Sequence, residues 1–82
     1  MAAGKSWRQR GGTPEYRDTI TIRMGKRTFT GDRVMRGRQQ LLQTISYAGR
    51  QKHDGHPYAA SERALMDTVA RIILRELVEA EE

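Results

Sequence analysis

Residues 16–31 read YRDTITIRMGKRTFTG, and the way this stretch folds dictates what the rest of the chain must do. Ile20, Ile22 and Met24 fall on one side of an extended chain, while Arg17, Thr19, Thr21 and Arg23 fall on the other. Alternation at period two is the pattern of a strand with one buried face. Gly25-Lys26 supplies the turn, because glycine at the first central position suits a type II′ hairpin. Arg27-Thr28-Phe29-Thr30 returns as a second short strand of β-forming residues, ended by Gly31. A lone hairpin is marginal in water, so something must cover its apolar face.

Two helices are expected to supply that cover. From Asp32, a fair N-cap, to Ala48, the residues Val34, Leu41, Leu42, Ile45 and Ala48 share one side at helical spacing. Gly49 reads as its stop, and residues 49–60, GRQKHDGHPYAA, read as a loop. Ser61 reads as the cap of a second helix, which holds seven of the thirteen Leu, Ile and Val residues. The expected architecture is thus α+β: a basic flexible arm over 1–14, then a single ββαα domain over 15–80. At ~100° per residue the apolar positions of the second helix cover an arc near ~200°, more than one hairpin and one helix can hide. Leu65, Val69, Ile72, Ile73 and Leu77 are therefore expected either in the core or at a helix-mediated homodimer interface.

Composition sets the functional classes. The 82 residues make one small domain, and Leu, Ile, Val and Phe form about 17% of the chain, a fraction that by itself leans toward disorder. The aliphatic residues are unevenly placed, however, with none before Ile20. There is no cysteine, so disulfides and thiolate metal sites are excluded. The first residues lack the apolar core of a secretory signal and no apolar run is long enough for a bilayer span, so a cytoplasmic protein without membrane contact is expected.

Charge is just as uneven. The net +5 divides into +9 over residues 1–53 and −4 over residues 54–82. That asymmetry points to a polyanionic partner, DNA ahead of RNA. The expected contacts are Arg17, Arg23, Lys26 and Arg27 on the hairpin, and Arg33, Arg36, Gln40 and Gln43 on the first helix. Arg suits phosphates and guanine edges, and Gln suits adenine edges. In the arm, Lys5, Arg8 and Arg10 would follow phosphates, and Trp7 would either fold back or anchor a partner. The other class that fits is a small phage- or plasmid-like adaptor or inhibitor that occupies a surface of a larger protein assembly.

Residues 17–23, RDTITIR, resemble the DNA-reading strand of ribbon-helix-helix repressors, in which polar and core residues alternate ahead of two helices. The resemblance implies Thr19, Thr21 and Arg23 as base readers. The chain departs from that pattern where residues 25–31 intervene before the next element and where residues 49–60 lengthen the following connection.

Catalytic chemistry has little foothold. No nucleophile elbow, HExxH or paired catalytic carboxylate motif occurs, and GKRTFTG over 25–31 lacks the glycine-lysine order of a phosphate loop. His53-Asp54-Gly55-His56 offers two imidazoles and one carboxylate, fewer fixed ligands than a stable transition-metal site wants, so it reads as a solvated turn before Pro57. A regulatory, non-enzymatic protein with no cofactor or metal is expected. Arg38 and Glu76, each placed within a predicted apolar arc, are expected to pair and fix the register of the two helices.

Overall fold

The computed structural model describes residues 13–81. Four strands, β1 (Glu15–Met24), β2 (Arg27–Arg36), β3 (Gln40–Tyr47) and β4 (Arg50–Ala59), precede a 3₁₀ turn (Ala60–Glu62) and a single helix, α1 (Arg63–Glu81). The strands pair in sequence order as one antiparallel meander, and α1 packs across one face of it. The α+β class therefore holds, but the layout is ββββα rather than ββαα.

The first hairpin forms as its alternation dictates. Met24 pairs with Arg27 across Gly25-Lys26, and Gly25 adopts φ +66°, the left-handed value a type II′ turn requires at that position. The ladder then runs without a break from Met24–Arg27 to Glu15–Arg36. Residues 32–48 are where expectation and structure part. Asp32 to Arg36 continue β2 instead of capping a helix, and residues 40–47 form β3. Residues 49–60, expected as a loop, turn at Ala48-Gly49 and run back as edge strand β4.

The reason lies in what β2 and β3 bury. Their inward positions are Phe29, Gly31, Arg33 and Met35, then Leu41, Gln43, Ile45 and Tyr47, with Gly31, Arg33 and Gln43 interrupting the apolar signal. Gly31 is required by α1 itself: a Cβ there would stand 2.7 Å from Leu74 Cδ1 and 2.8 Å from the Ser46 carbonyl oxygen. With a glycine at that point, Leu74 seats directly on the backbone of β2 and is fully buried.

Two apolar clusters fill the space between sheet and helix. The larger joins Ile20, Phe29 and Ile45 to Ala70, Ile73, Leu74, Leu77 and Val78; the smaller joins Met35 and Tyr58 to Met66. Val69 packs against both. Ile73 and Leu77 are thus buried by this chain's own sheet, which removes the wide-arc argument for a helix-mediated dimer. Leu65 and Ile72 lie outside, 49% and 53% exposed. Ala59 rather than Ser61 stands at the N-cap of the 3₁₀ turn that leads into α1, and Glu62 accepts a 2.8 Å hydrogen bond from its N–H. Among the described residues no helix is long and apolar enough to cross a membrane.

Candidate functional site

The helix covers one face of the sheet and leaves the other open. Register places Arg17, Val34, Thr44 and His53 in one row across β1 to β4, with Glu15, Arg36 and Leu42 beside it. On the other side of that row lie Thr19, Asp32, Ser46 and Gln51, then the pairs Thr21–Thr30 and Arg23–Thr28. Thr21 and Thr30 hydroxyls meet at 3.1 Å, and Thr44 Oγ1 lies 2.7 Å from His53 Nδ1. Over the first two rows the face is hollowed into an open groove of 620 Å³, walled by Arg17 and Arg36 on one side and His53 and Gln51 on the other.

The two arginines of this groove are held in place without being consumed. Arg17 Nη2 and Arg36 Nε lie 2.7 Å and 3.0 Å from the two oxygens of Glu15, yet the arginine side chains stay 73% and 66% exposed. The Arg17 hydrogen bond, with Arg36 behind it, holds the Glu15 carboxyl below its ordinary range. Two cations around one anion leave a local excess of positive charge, with guanidinium N–H groups turned to solvent. Arg23 lies exposed near the far end of the same face, next to the β1–β2 turn with Lys26 and Arg27. Arg27 rests its guanidinium 5.0 Å from the Phe29 ring centre.

Arg33 and Gln43 have a different place. Both point under the helix and are 3% and 1% exposed, so neither lies on the open face with the other expected contacts. Arg33 donates from Nε and Nη2 to the two oxygens of Asp18 at 2.8 and 2.7 Å, and from Nη1 to Asp67 of α1 at 2.7 Å. Gln43 donates from Nε2 to Asp54 and to the Met66 carbonyl, both at 3.0 Å, while its Oε1 accepts from Arg33 at 3.4 Å. Tyr58 donates its hydroxyl to Asp54, whose other oxygen accepts from the His56 N–H at 3.1 Å. The network joins all four strands to the helix, and among the described residues it leaves no buried side-chain polar atom without a partner.

Its electrostatics follow from those bonds. Hydrogen bonding from Arg33 draws the Asp18 carboxyl below its ordinary value, and the same bond raises the arginine. Burial pushes Asp54 and Asp67 up, but donation from Gln43 and Tyr58 to the first, and from Arg33 to the second, outweighs it and leaves both lowered. Burial and the bond to Asp54 push the Tyr58 hydroxyl up to about 12. Two cations, Arg33 and Arg63, and three carboxylates, Asp18, Asp54 and Asp67, are thereby occupied with the fold.

Of the expected contacts, Arg17, Arg23, Arg36 and Gln40 share the open face and Lys26 stands in the turn at one end of it, whereas Arg27, opposite Met24 and over Phe29, lies on the helix side. Lys5, Trp7, Arg8 and Arg10 lie outside the described residues. Thr28, Thr30, Thr44, Ser46, Gln51 and His53 belong to the face and escaped the sequence reading; alternation across 40–47 and the β-forming Thr residues are the signals that mark them. Glu76, expected to pair with Arg38, instead takes Lys52 of β4 as its partner, both side chains half exposed. Arg38 lies in the β2–β3 connection and not on a helix. His53 and His56 do not converge on a common point with further ligands: among the described residues no three His, Cys, Asp or Glu side chains cluster as a metal site would require. The strand resembling ribbon-helix-helix repressors is followed by three more strands and one helix, so the two-helix arrangement that the resemblance implied is absent. Set against protein-family models, curated proteins and solved structures, the chain matches none of them.

Proposed function

We propose that the protein is a non-catalytic, regulatory nucleic-acid-binding protein that grips the phosphate backbone with the open face of its sheet. The observation that carries this reading is a whole sheet face left uncovered by the helix, with Arg17, Arg23 and Arg36 exposed on it among hydroxyl and amide side chains. Guanidinium forks match phosphate oxygens bidentately, and Thr, Ser and Gln add neutral donors to the same oxygens. Among the described residues no Phe, Tyr or Trp side chain stands on this face, so contacts to the backbone dominate over base stacking.

A salt series tests the reading. Four cations, at Arg17, Arg23, Lys26 and Arg36, predict a slope of log K against log salt of about −3 to −4 on duplex DNA. Arg17→Ala with Arg36→Ala should reduce that slope by about 2. Fluorescence anisotropy with labelled duplex DNA, single-stranded DNA and RNA measures both quantities. No binding of any of the three at low salt refutes the reading. A second reading, a small adaptor or inhibitor seated on a larger protein, draws on Leu65 and Ile72, which lie seven residues apart on the outer side of α1. Leu65→Asp with Ile72→Asp separates the two, because nucleic-acid affinity should survive it.

A further inference from the structure

The two edges of the sheet are built differently. At β4 the pairing with β3 shifts between Leu41–Tyr58 and Gln43–Asp54, with Gly55, His56 and Pro57 bulged out, while Arg50 and Lys52 reach back to Glu81 and Glu76 of the helix. Bulges, proline and charged side chains are the devices by which an edge strand avoids pairing with another chain. β1 has no proline and no bulge: ten residues keep one register with β2 from end to end. Its backbone groups are also well defined. The Gly37 N–H donates to the Pro14 carbonyl at 3.1 Å, so even-numbered residues turn their backbone groups toward β2. Glu15, Arg17, Thr19, Thr21 and Arg23 therefore direct their N–H and C=O groups outward along the edge.

We propose that β1 pairs antiparallel with β1 of a second copy of this chain, centred on Thr19, so that two meanders join into one eight-stranded sheet. The register follows from the side chains. With Thr19 opposite Thr19, Glu15 stands opposite Arg23 at both ends, and every residue from 15 to 23 is paired. Sliding by one step toward the turn sets Arg17 against Arg23, and sliding by two the other way sets Arg17 against its own copy; like charges directly opposite destabilise a sheet. The same central register places Tyr16 opposite Ile22 on the helix side. Tyr16 is 52% exposed, and beside Ile22 the chain has a groove of 610 Å³ walled by Met24 and Ile72. The aromatic ring of one copy thus meets Ile22, Met24 and Ile72 of the other, in a groove that Arg71 and Arg75 also line. The two-fold axis runs perpendicular to the sheet, which keeps both helices on one side and makes the two open faces continuous. This inference rests on the edge and its side chains, not on the nucleic-acid reading.

The test uses the full chain in sedimentation equilibrium, with far-UV circular dichroism as the check on folding. The wild type should sediment at twice 9.4 kDa. Thr19→Pro removes an N–H that points away from β2, so the hairpin should persist while the dimer dissociation constant rises at least tenfold. Arg23→Glu sets Glu15 against a glutamate at both ends and should weaken the dimer by a similar factor. This exposed substitution keeps the test decisive even if Thr19→Pro fails to fold. A monomeric wild type at 100 μM, a folded Thr19→Pro that still dimerises, or an Arg23→Glu variant that dimerises as tightly as wild type overturns the proposal. Loss of dimer with unchanged nucleic-acid affinity per chain leaves it standing, and so does a dimer that binds no nucleic acid.

Discussion

Replacing Arg33 by Met is the most direct probe of what holds this fold together. The guanidinium is 3% exposed and lies between Asp18, bound through two hydrogen bonds, and Asp67 of the helix, bound through one. Methionine fills much of the volume of the stem but leaves two carboxylates facing each other with only the half-exposed Arg63, 3.5 Å from each, as a cation. Deleting one partner of a fully buried pair costs about 3–5 kcal/mol. Asp18 and Asp67 keep 37% and 31% of their side chains in water, so screening reduces the expected loss to about 2–3 kcal/mol. In a domain of this size that lowers the melting temperature by roughly 10–20 °C. Urea titration followed by circular dichroism, at pH 7 and again at pH 4, measures it. The two pH values matter because of sign. Both carboxyls are lowered in the folded protein, so their contribution is complete above the ordinary carboxyl range and lost as pH falls through it. In the variant the same carboxyls lose the buried guanidinium, keep only the weaker contact to Arg63 and gain from protonation, so the gap to wild type should narrow at pH 4. A loss under about 1 kcal/mol at pH 7, the size of one ordinary hydrogen bond, or a gap that stays constant with pH refutes the reasoning.

Three further outcomes follow from the same geometry. Gly31→Ala drives a methyl group against Leu74 and the Ser46 carbonyl, and chemical denaturation should record a loss of about 1–3 kcal/mol. Ala48 holds φ +52° in the β3–β4 turn ahead of Gly49, so Ala48→Asn, which makes the preferred Asn-Gly turn, should raise the urea midpoint by the equivalent of about 1 kcal/mol. The Tyr58 hydroxyl is raised from 10 to about 12, so the fold favours its protonated form: that stability is complete below pH 10 and lost as pH climbs toward 12. Tyr58→Phe should therefore lose less stability than wild type between pH 9.5 and pH 11.5; equal losses would contradict the assignment.

The parts of this fold that could be read from the chain are those where apolar side chains mark the buried positions. Ile20, Ile22 and Met24 announce β1, and seven of the thirteen Leu, Ile and Val residues announce the helix. Arg27 to Thr30 mark the start of β2, but its second half and all of β3 hid themselves because three of their inward positions are Gly31, Arg33 and Gln43, while the aliphatic Val34 and Leu42 face outward. Those outward residues, together with Leu41 and Ile45, imitate helical spacing. β4 buries only Tyr58 and contains Gly55 and Pro57, so nothing in its composition distinguishes an edge strand from a loop. The same misreading divided the expected contacts: Arg36 and Arg33 look alike in sequence, and only the pleat decides that one meets solvent and the other the core.

The meander also bears on how the chain reaches its native state. Every strand pairs with its neighbour in sequence, so the sheet needs no long loop closure and should assemble on the fast side for a protein rich in strands. A sheet formed alone would pair Arg33 with Asp18 and Gln43 with Asp54 but leave their remaining donors to water, since Asp67 and the Met66 carbonyl arrive only with the helix. Sliding β2 by one residue would carry Asp32 and Val34 under that helix and leave Asp67 with only Arg63 of its own helix as a cation. Docking of the last nineteen-residue segment is thus the proofreading step: it closes tightly only over strands that have already found their proper alignment.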